Sequence, residues 1–246
     1  MIESTRNPRV VRATKLHRVR NRRETGETLL EGPNVLGAAL AAGLVPELVF
    51  TLDRNGLADR AARAGSEVVS VSEAVMNKLA GTENPRGPVA IASVPDSDRI
   101  TPIDTIVLCG ISDPGNAGTL IRSAAAFEFQ VVATTDTVDL WSPKVLRAAV
   151  GAHFATGIVT SGSPEAVAAA GIVLVALVPA DDGRGDPEAG DRPIGLMVGN
   201  EAHGLSPELV AAAAATITVP TSGAVESLNA AVAGSIAMFA IAQGRR

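Results

Sequence analysis

The sequence predicts an α/β protein with parallel β-sheet. Short apolar segments alternate with amphipathic or alanine-rich segments along the 246 residues, which is the pattern of strands connected by helices. Segments such as "IDTIVLCGI" and "IVLVALV" are apolar without interruption, as in parallel strands that are covered on both faces. Polar clusters follow three of the predicted strands, at the end where doubly wound sheets bind their ligands.

The first 94 residues are predicted to form a small α/β domain. A basic helix or arm comes first. The strands and helices that follow are carried, in order, by "TLLEGPNVLGAALAAGL", "PELVFTLD", "GLADRAARAG", "SEVVSVS", "EAVMNKLAG" and "GPVAIASV". Residues 95–102, "PDSDRITP", contain two prolines and three charged residues without an apolar period, so we predict a linker there.

Residues 103–246 are predicted to form a second α/β domain. It begins with the strand "IDTIVLCGI" and a helix from Asn116. The later strands are "FQVVATT", a short one near "TGIVT", "IVLVALV", "IGLMVGN" and "ATITVP", and the later helices are "SPKVLRAAVGAH", "PEAVAAAG", "SPELVAAAA" and a last one from about Leu228.

Composition indicates a globular protein of the cytoplasm. Hydrophobic residues make up 46% of the chain and charged residues 19%, which excludes a disordered chain. The longest apolar stretches fall short of the roughly 20 residues that span a bilayer, and no apolar run follows the basic start as in a signal peptide. Cys109 is the only cysteine, so an internal disulfide is impossible and a cytoplasmic location is expected.

Positive charge is concentrated at the start of the chain, although the net charge is −5. Residues 6–23 contain eight basic side chains, a density that favours contact with the phosphates of a polyanion. A solvated helix face is the alternative. The eight are Arg6, Arg9, Arg12, Lys15, Arg18, Arg20, Arg22 and Arg23.

The first polar cluster is "SDPGN", at the start of a predicted helix. Asn116 is a suitable N-cap, because its side-chain oxygen can accept a hydrogen bond from a free helix N–H. Arg122 follows six residues later among apolar neighbours. Its guanidinium must reach water, a phosphate or the carboxylate of a nearby acid.

The other two clusters also follow predicted strands. In "LMVGNEAHGLSPEL", Gly199 and Gly204 bracket Asn200, Glu201 and His203, and glycines let a ligand approach the backbone closely. In "VPTSGAVESLNAAVAGSIAMFAIA", the residues Ser227 and Asn229 precede a helix that is apolar all round. Such a helix is expected to be buried, against the core or a second subunit. Ser227 could also serve only as a helix cap.

Several other site types are excluded by the sequence. No GxGxxG, GxxxxGK[ST] or GxSxG motif is present. His17, His153 and His203 lack ligand-like spacing with Cys109, so we expect no zinc site. Aromatic residues make up only 2% of the chain, which argues against RNA binding by base stacking.

Together the three clusters resemble the motifs of the SpoU family of RNA ribose 2′-O-methyltransferases, in the SPOUT superfamily. "DPGNAGTLIRSAAAF", "MVGNEAHGLSPEL" and "VPTSGAVESLNAAVA" are similar to the first, second and third motifs, within residues 104–243. The segments "TLLEGPNVLGAAL" and "LAGTENPRGPVAIA" resemble the family's RNA substrate-binding domain, of the ribosomal-protein L30 type.

The resemblance implies an L30-like domain, then a SPOUT domain with a C-terminal trefoil knot. It also implies S-adenosylmethionine (SAM) as cofactor, a homodimer and no metal. The catalytic residues that it implies are Arg122, Asn116, Glu201, Ser227 and Asn229. It implies cofactor contacts, largely from backbone atoms, at Ala176, Leu177, Gly199, Val219 and Leu228.

The resemblance further implies that Arg122 fixes an RNA phosphate and stabilises developing alkoxide charge. A guanidinium essentially never loses its proton in a protein, so a role as general base is not expected, and Arg122 is predicted to face a pocket. The L30-like domain accompanies rRNA-modifying members, which favours rRNA over tRNA as the substrate.

Two segments depart from the family's pattern, and other functions remain open. "KVLRAAVGAHF" lacks the Ser-Met-Gly or Ser-Ala-Gly run that many members carry, and residues 180–193 form a long acidic, glycine-rich segment that we expect to be a mobile surface loop. A tRNA 2′-O-methyltransferase, a non-catalytic RNA-binding or ribosome-assembly protein, and a nucleotide-dependent oxidoreductase are the alternatives. The missing GxGxxG motif argues against the last.

Overall fold

The computed structural model describes residues 1–53, 56–81, 85, 87–95, 99–179, 190–225 and 227–245. The chain forms two compact units. The first contains Met1–Asp96 and Trp141–Phe154, and the second contains Ser97–Leu140 and Ala155–Arg246. Within the described ranges, no helix is both long and apolar enough to cross a membrane.

A four-stranded mixed sheet forms the centre of the first unit. Its order is β1-β4-β2-β3; β4 is antiparallel to β1 and β2, whereas β2 and β3 are parallel. The strands are β1 (Glu27–Glu31), β2 (Leu48–Thr51), β3 (Glu67–Ser70) and β4 (Val89–Ser93). The helices that connect them are α3 (Pro33–Ala41), α4 (Gly56–Ala64) and α5 (Glu73–Leu79).

The basic segment at the start of the chain folds as two short helices, α1 (Pro8–Lys15) and α2 (Val19–Thr25). The side chain of Asn7 caps α1, since it accepts a hydrogen bond from the N–H of Arg9 at 3.0 Å. Val10 on α1 is fully buried in the core of the first unit. The apolar side of α1 therefore packs inward, and its cations are left for the surface.

Residues 141–154 belong to the first unit by their contacts, although the sequence analysis counts them in the second domain. They contain α7 (Pro143–Ala148), whose N-cap is Ser142. The guanidinium of Arg147 on α7 forms an ion pair with the buried carboxylate of Glu31, at the end of β1. This helix is thus held against β1 by contacts between residues that are far apart in the sequence.

A six-stranded sheet forms the centre of the second unit, and all its neighbouring strands are parallel, as predicted. The order is β10-β8-β9-β5-β6-β7. The strands are β5 (Thr105–Leu108), β6 (Gln130–Ala133), β7 (Ile158–Val159), β8 (Val173–Leu177), β9 (Ile194–Val198) and β10 (Ala215–Ile217). This arrangement fits the knotted SPOUT fold that the resemblance implies.

The described residues of the second unit form four α-helices, and two of them pack together closely. They are α6 (Pro114–Phe127), α8 (Pro164–Ala169), α9 (Pro207–Ala212) and α10 (Ala230–Gly244). The hydroxyls of Ser123 on α6 and Ser235 on α10 lie 2.7 Å apart in a hydrogen bond. Because β10, β8, β9 and β5 are parallel neighbours, the loops that follow them lie at one edge of the sheet.

The prediction that Asn116 caps α6 is wrong. The N-cap of α6 is Asp113, which accepts a hydrogen bond from the N–H of Asn116 at 2.8 Å, and Asn116 itself lies inside the first turn. On helix α10, Val232, Ile236 and Phe239 are 46%, 42% and 49% exposed in the single chain, so burial of this face against a second subunit stays a prediction. The acidic segment lies, for residues 180–189, outside the described residues.

Candidate active site

The carboxylate of Glu201 is the centre of a hydrogen-bond network at the carboxyl edge of the second sheet. One oxygen accepts hydrogen bonds from the N–H and the hydroxyl of Ser112, at 3.1 and 2.9 Å. The other accepts from the N–H of Asp113 at 3.1 Å and from Nδ2 of Asn116 at 3.0 Å. Glu201 follows β9 and the other three follow β5, so this carboxylate joins two neighbouring loops.

The network keeps Glu201 ionised. Burial of the carboxyl group by itself would raise its pKa, but the hydrogen bonds from Asn116, Ser112 and Asp113 outweigh that effect and lower the pKa to about 2. All four hydrogen bonds go to the charged form. At neutral pH Glu201 is thus a fixed anion with few acceptor positions left, which suits it to hold loops in place rather than to accept a proton.

Asn116 also connects the network to the third motif. Its Oδ1 accepts a hydrogen bond from Nδ2 of Asn229 at 3.0 Å. The Oδ1 of Asn229 in turn caps α10, accepting from the N–H groups of Ala231 and Val232 at 2.9 and 3.2 Å. Both asparagine side chains thus have their orientation fixed. The network thus joins Asn116 to two residues that lie 85 and 113 positions further along the chain.

A cavity of about 470 Å³ lies at the same edge of the sheet. Loops that follow β8, β9 and β10 form its walls, together with the start of α10. Its apolar lining includes Leu177, Val178, Val198, Leu205, Val210, Val219 and Leu228. Its polar lining includes Asn200, Glu201, His203, Thr218, Thr221 and Ser227. This size and the mixed apolar and polar lining suit a small organic cofactor with both kinds of surface.

Comparison with known proteins decides the family. The sequence profile described as "SpoU rRNA Methylase family" matches residues 104–239, and that described as "MRM3-like substrate binding domain" matches residues 7–90. The chain belongs to the SpoU rRNA methylase family.

Similar proteins cover the whole length of the chain. The 23S rRNA (guanosine(2553)-2′-O)-methyltransferase RlmP of Bacillus subtilis is 30% identical over 97% of each chain. The AdoMet-bound rRNA methyltransferase of Sinorhizobium meliloti has a TM-score of 0.86 and 29% identity, covering 99% of this chain and 97% of that one. The methyltransferase AviRb of Streptomyces viridochromogenes, solved with AdoMet, has a TM-score of 0.85 and 26% identity over 98% of both.

These matches confirm the activity that the motifs imply. The SpoU methylase described here is an enzyme that transfers a methyl group from SAM to a ribose 2′-OH of RNA, and rRNA is its class of substrate. The predicted fold class, an L30-like domain followed by a parallel-sheet SPOUT domain, is confirmed as well.

The cavity of this SpoU methylase fits SAM. A Cβ on Gly199 would lie 2.2 Å from the carbonyl carbon of Gly204 and 2.3 Å from the nitrogen of Leu205, so only glycine lets these backbone segments meet. The hydroxyl oxygen of Thr218 is buried at the cavity without a hydrogen-bond partner among the described residues. SAM needs an apolar surface for its adenine and hydrogen-bonding groups for its polar atoms, and the lining of this cavity contains both.

Four of the five predicted cofactor residues line this cavity, namely Leu177, Gly199, Val219 and Leu228. The fifth, Ala176, is fully buried inside β8 and does not line it. The adjacent residue Leu177 is half-buried, because it ends the strand and the chain then turns into the loop.

The predicted catalytic residues divide into two sets. Asn116, Glu201 and Asn229 form the network, and Ser227 lines the cavity beside it. Arg122 is different, because it is exposed on α6 and is not one of the cavity's lining residues. That Arg122 faces a pocket stays a prediction. Its guanidinium has no ion pair or hydrogen bond with any part of the chain that the structure describes.

The eight basic residues within residues 6–23 also divide into two sets. Arg9, Arg12 and Arg20 form ion pairs with acids of the first unit, and Arg22 is buried and donates a hydrogen bond to the carbonyl of Leu16. The other four are exposed and have no ion pair with a described residue. We call these four the free cations: Arg6, Lys15, Arg18 and Arg23.

Sequence reasoning assigned no role to four residues of the site, although one of them, His203, belongs to the second polar cluster. His203, Thr218 and Thr221 line the cavity, and Ser112 donates twice to Glu201. For Thr218 the sequence contains a weak signal, the alternation of polar and apolar residues over 216–219, at the end of β10. Burial raises the pKa of the Cys109 thiol to about 12, so this residue is not a thiolate nucleophile. Among the described residues, no three His, Cys, Asp or Glu side chains are grouped as metal ligands.

Proposed function

We propose that this SpoU methylase modifies a ribose of large-subunit rRNA, acts as a homodimer in the cytoplasm, and uses the Glu201 network to position the ribose. The RlmP relative, named for 23S rRNA, supports the choice of subunit. The observation that carries the catalytic part is the pair of hydrogen bonds that joins Glu201 to Asn116 and Asn116 to Asn229, beside the cavity.

SAM supplies an electrophilic methyl group on its sulfonium and needs no metal to activate it. The protein must therefore align the 2′-OH with that methyl group and stabilise the oxygen as its proton leaves. Alignment alone can lower the barrier by several kcal/mol. The fixed side chains of Asn116 and Asn229 are suited to this orienting task, and the hydroxyl of Ser227 provides a hydrogen-bonding group at the cavity.

Arg122 is assigned to the RNA rather than to the cofactor. It is exposed, it lacks an ion pair with any described residue, and it lies six residues along α6 from Asn116, about 9 Å along the helix axis. A guanidinium in this position can bind a phosphate with two parallel hydrogen bonds. It can also stabilise negative charge that develops on the 2′ oxygen.

The homodimer is supported by α10. Val232, Ile236 and Phe239 are spaced at i, i+4 and i+7, so they share one face of the helix, and all three are exposed. An exposed apolar stripe of this kind is typical of a protein–protein interface. Because α10 packs against α6, an interface on α10 would also bring a second chain towards the helix that carries Arg122.

The proposal is tested by methyl transfer from labelled SAM to separate unmodified transcripts of 23S rRNA, 16S rRNA and tRNA. We expect label on 23S rRNA that survives alkaline cleavage, which identifies ribose methylation. Arg122→Ala should lower kcat/KM by roughly 10²–10³ and leave SAM binding unchanged. Arg63→Ala, at an exposed arginine of the first unit, is the matched control and should retain full activity.

Each other outcome identifies a different function. Label on tRNA alone would replace the proposed substrate with tRNA. Tight SAM binding without transfer to any transcript would favour the non-catalytic assembly protein. Full activity of Arg122→Ala would remove that residue from the mechanism while leaving the substrate assignment intact.

A further inference from the structure

His203 belongs to a tightly hydrogen-bonded turn at the cavity of the second unit. Asn200 and Gly204 exchange two backbone hydrogen bonds, of 3.1 and 2.8 Å, which close this turn after β9. The Oδ1 of Asn200 accepts from the N–H groups of Ala202 and His203 at 2.9 and 3.3 Å. Its Nδ2 donates to the carbonyl of Gly110 at 2.8 Å. The backbone of His203 is therefore held in place where this residue lines the cavity.

The imidazole ring of His203 is available to a ligand. The residue is exposed, and its hydrogen bond to Asn200 comes from the backbone N–H and not from the ring. Neither ring nitrogen forms a hydrogen bond or an ion pair with any residue that the structure describes. At least one of the two nitrogens carries a hydrogen, whether the ring is neutral or charged. The ring can thus donate a hydrogen bond to a molecule in the cavity.

Glu201 and His203 are the ionisable side chains among the described residues that line the cavity. The carboxylate of Glu201 already accepts four hydrogen bonds from the segment after β5. As an anion it attracts cationic groups of a ligand and repels anionic ones. His203 is therefore the described lining side chain that is able to carry a positive charge and to attract an anionic group.

SAM has one anionic group, the carboxylate of its methionine part, together with a cationic ammonium and a cationic sulfonium. A carboxylate that leaves water for a cavity needs hydrogen-bond donors in exchange. The hydroxyls of Thr218, Thr221 and Ser227 also line the cavity, but a hydroxyl cannot carry the positive charge that strengthens a hydrogen bond to a carboxylate. His203 is accordingly the lining side chain that best matches the carboxylate.

We propose that His203 binds the methionine carboxylate of SAM by donating a hydrogen bond from its imidazole ring. The inference uses the family's cofactor and does not depend on which RNA is methylated. The carboxylate takes no part in methyl transfer, so this contact is as strong before the reaction as in the transition state. Its loss should therefore raise the KM for SAM and leave kcat unchanged.

Calorimetry with SAM and with decarboxylated SAM tests the proposal on the full-length protein without RNA. Decarboxylated SAM keeps the adenosine, the sulfonium and the ammonium, and lacks only the carboxylate. We expect the unmodified protein to bind SAM about tenfold more tightly than decarboxylated SAM. In His203→Ala the Kd for SAM should rise by about tenfold, whereas the Kd for decarboxylated SAM should stay the same. The variant should thus no longer distinguish the two ligands.

Two further variants make the result specific to the imidazole. His203→Gln keeps an N–H donor and should retain part of the preference for SAM. Glu208→Gln is the matched control, because Glu208 is exposed, lies five residues further along the chain and does not line the cavity. It should change neither dissociation constant. Thermal melting without ligand shows whether each variant is folded.

Three results would overturn the inference. The first is an equal loss of affinity for both ligands in His203→Ala, since the residue would then contact another part of SAM. The second is an undiminished preference for SAM in that variant, and the third is the lack of any preference in the unmodified protein. Methylation of an RNA other than 23S rRNA would contradict the proposed substrate but would leave the outcome of these binding measurements as it is.

Discussion

Glu201 is a carboxylate whose chemistry is decided by its neighbours. Its four hydrogen bonds all come from the segment after β5, which the folded sheet brings beside the loop after β9 that carries Glu201. We expect Glu201→Gln to destabilise the fold by about 1 kcal/mol, because hydrogen bonds to a charged acceptor are lost at an exposed site where water compensates in part. Methyl transfer should fall more than stability, since Asn116 loses its fixed orientation. Urea unfolding and single-turnover assays on the same samples measure both.

The pH dependence of Glu201 gives a second test. Its pKa is lowered in the folded chain from 4.5 to about 2, so the folded state binds this proton less tightly than the unfolded state does. Its stabilising effect is complete above about pH 4.5 and is lost as the pH falls towards 2. The difference in unfolding free energy between the unmodified protein and Glu201→Gln should narrow on going from pH 6 to pH 3. A constant difference would mean that the charge is not what stabilises the loops.

Gly199 is a second residue whose identity is dictated by its surroundings. Every atom within 2.4 Å of a Cβ at this position belongs to the backbone of the turn after β9, so the turn would have to open. Gly199→Ala should cost about 1–3 kcal/mol of stability and weaken SAM binding more than tenfold. Gly37→Ala, in α3 with no atom near its Cβ, should be neutral or slightly stabilising. Titration calorimetry with SAM distinguishes the two.

At the scale of helices and strands, the sequence predicts where these elements lie better than it predicts which side chains cap them or pair with them. The α6 cap illustrates a recoverable error: Asp113 and Asn116 can both cap a helix, but Pro114 prefers the first helical position, which selects Asp113. For the basic residues at the start of the chain, the sequence does not show which of them form ion pairs. The acids that pair with Arg9 and Arg12 lie 15 to 58 residues away, and no periodicity within the block reveals them.

The division of that block predicts unequal effects on RNA binding. Replacing the free cations Arg18 and Arg23 with alanine should reduce the slope of log affinity against log salt by about 2, since two phosphate contacts are lost. Replacing Arg9 and Arg20 should change the slope less, because Glu67 and Glu24 already neutralise them. Filter binding of a 23S rRNA transcript at several salt concentrations compares the two double variants. Equal effects would show that the surface ion pairs open when RNA binds.

At the scale of the whole molecule, the resemblance predicts that a substrate-binding domain precedes the methyltransferase domain. The contacts show in addition that one segment of the second predicted domain packs in the first unit. Residues 141–154 lie between β6 and β7 in the chain, yet they pack in the first unit. The pairing of Arg147 with Glu31 spans 116 positions. The sequence contains both residues but no local pattern that joins them. The same limit explains Glu201, whose network depends on which strands are neighbours.

The exposed stripe on α10 leads to a test of assembly. If two copies of the chain meet through this face, a charge placed at its centre should separate them, because an unpaired charge is costly to bury. Ile236→Lys should therefore convert a dimer into a 25.0 kDa monomer at micromolar concentration. Val19→Lys is the matched control, as Val19 on α2 is exposed by the same 42%. Sedimentation equilibrium measures the mass of each. A wild-type monomer, or a dimer that survives Ile236→Lys, would show that this face is not the interface between two copies.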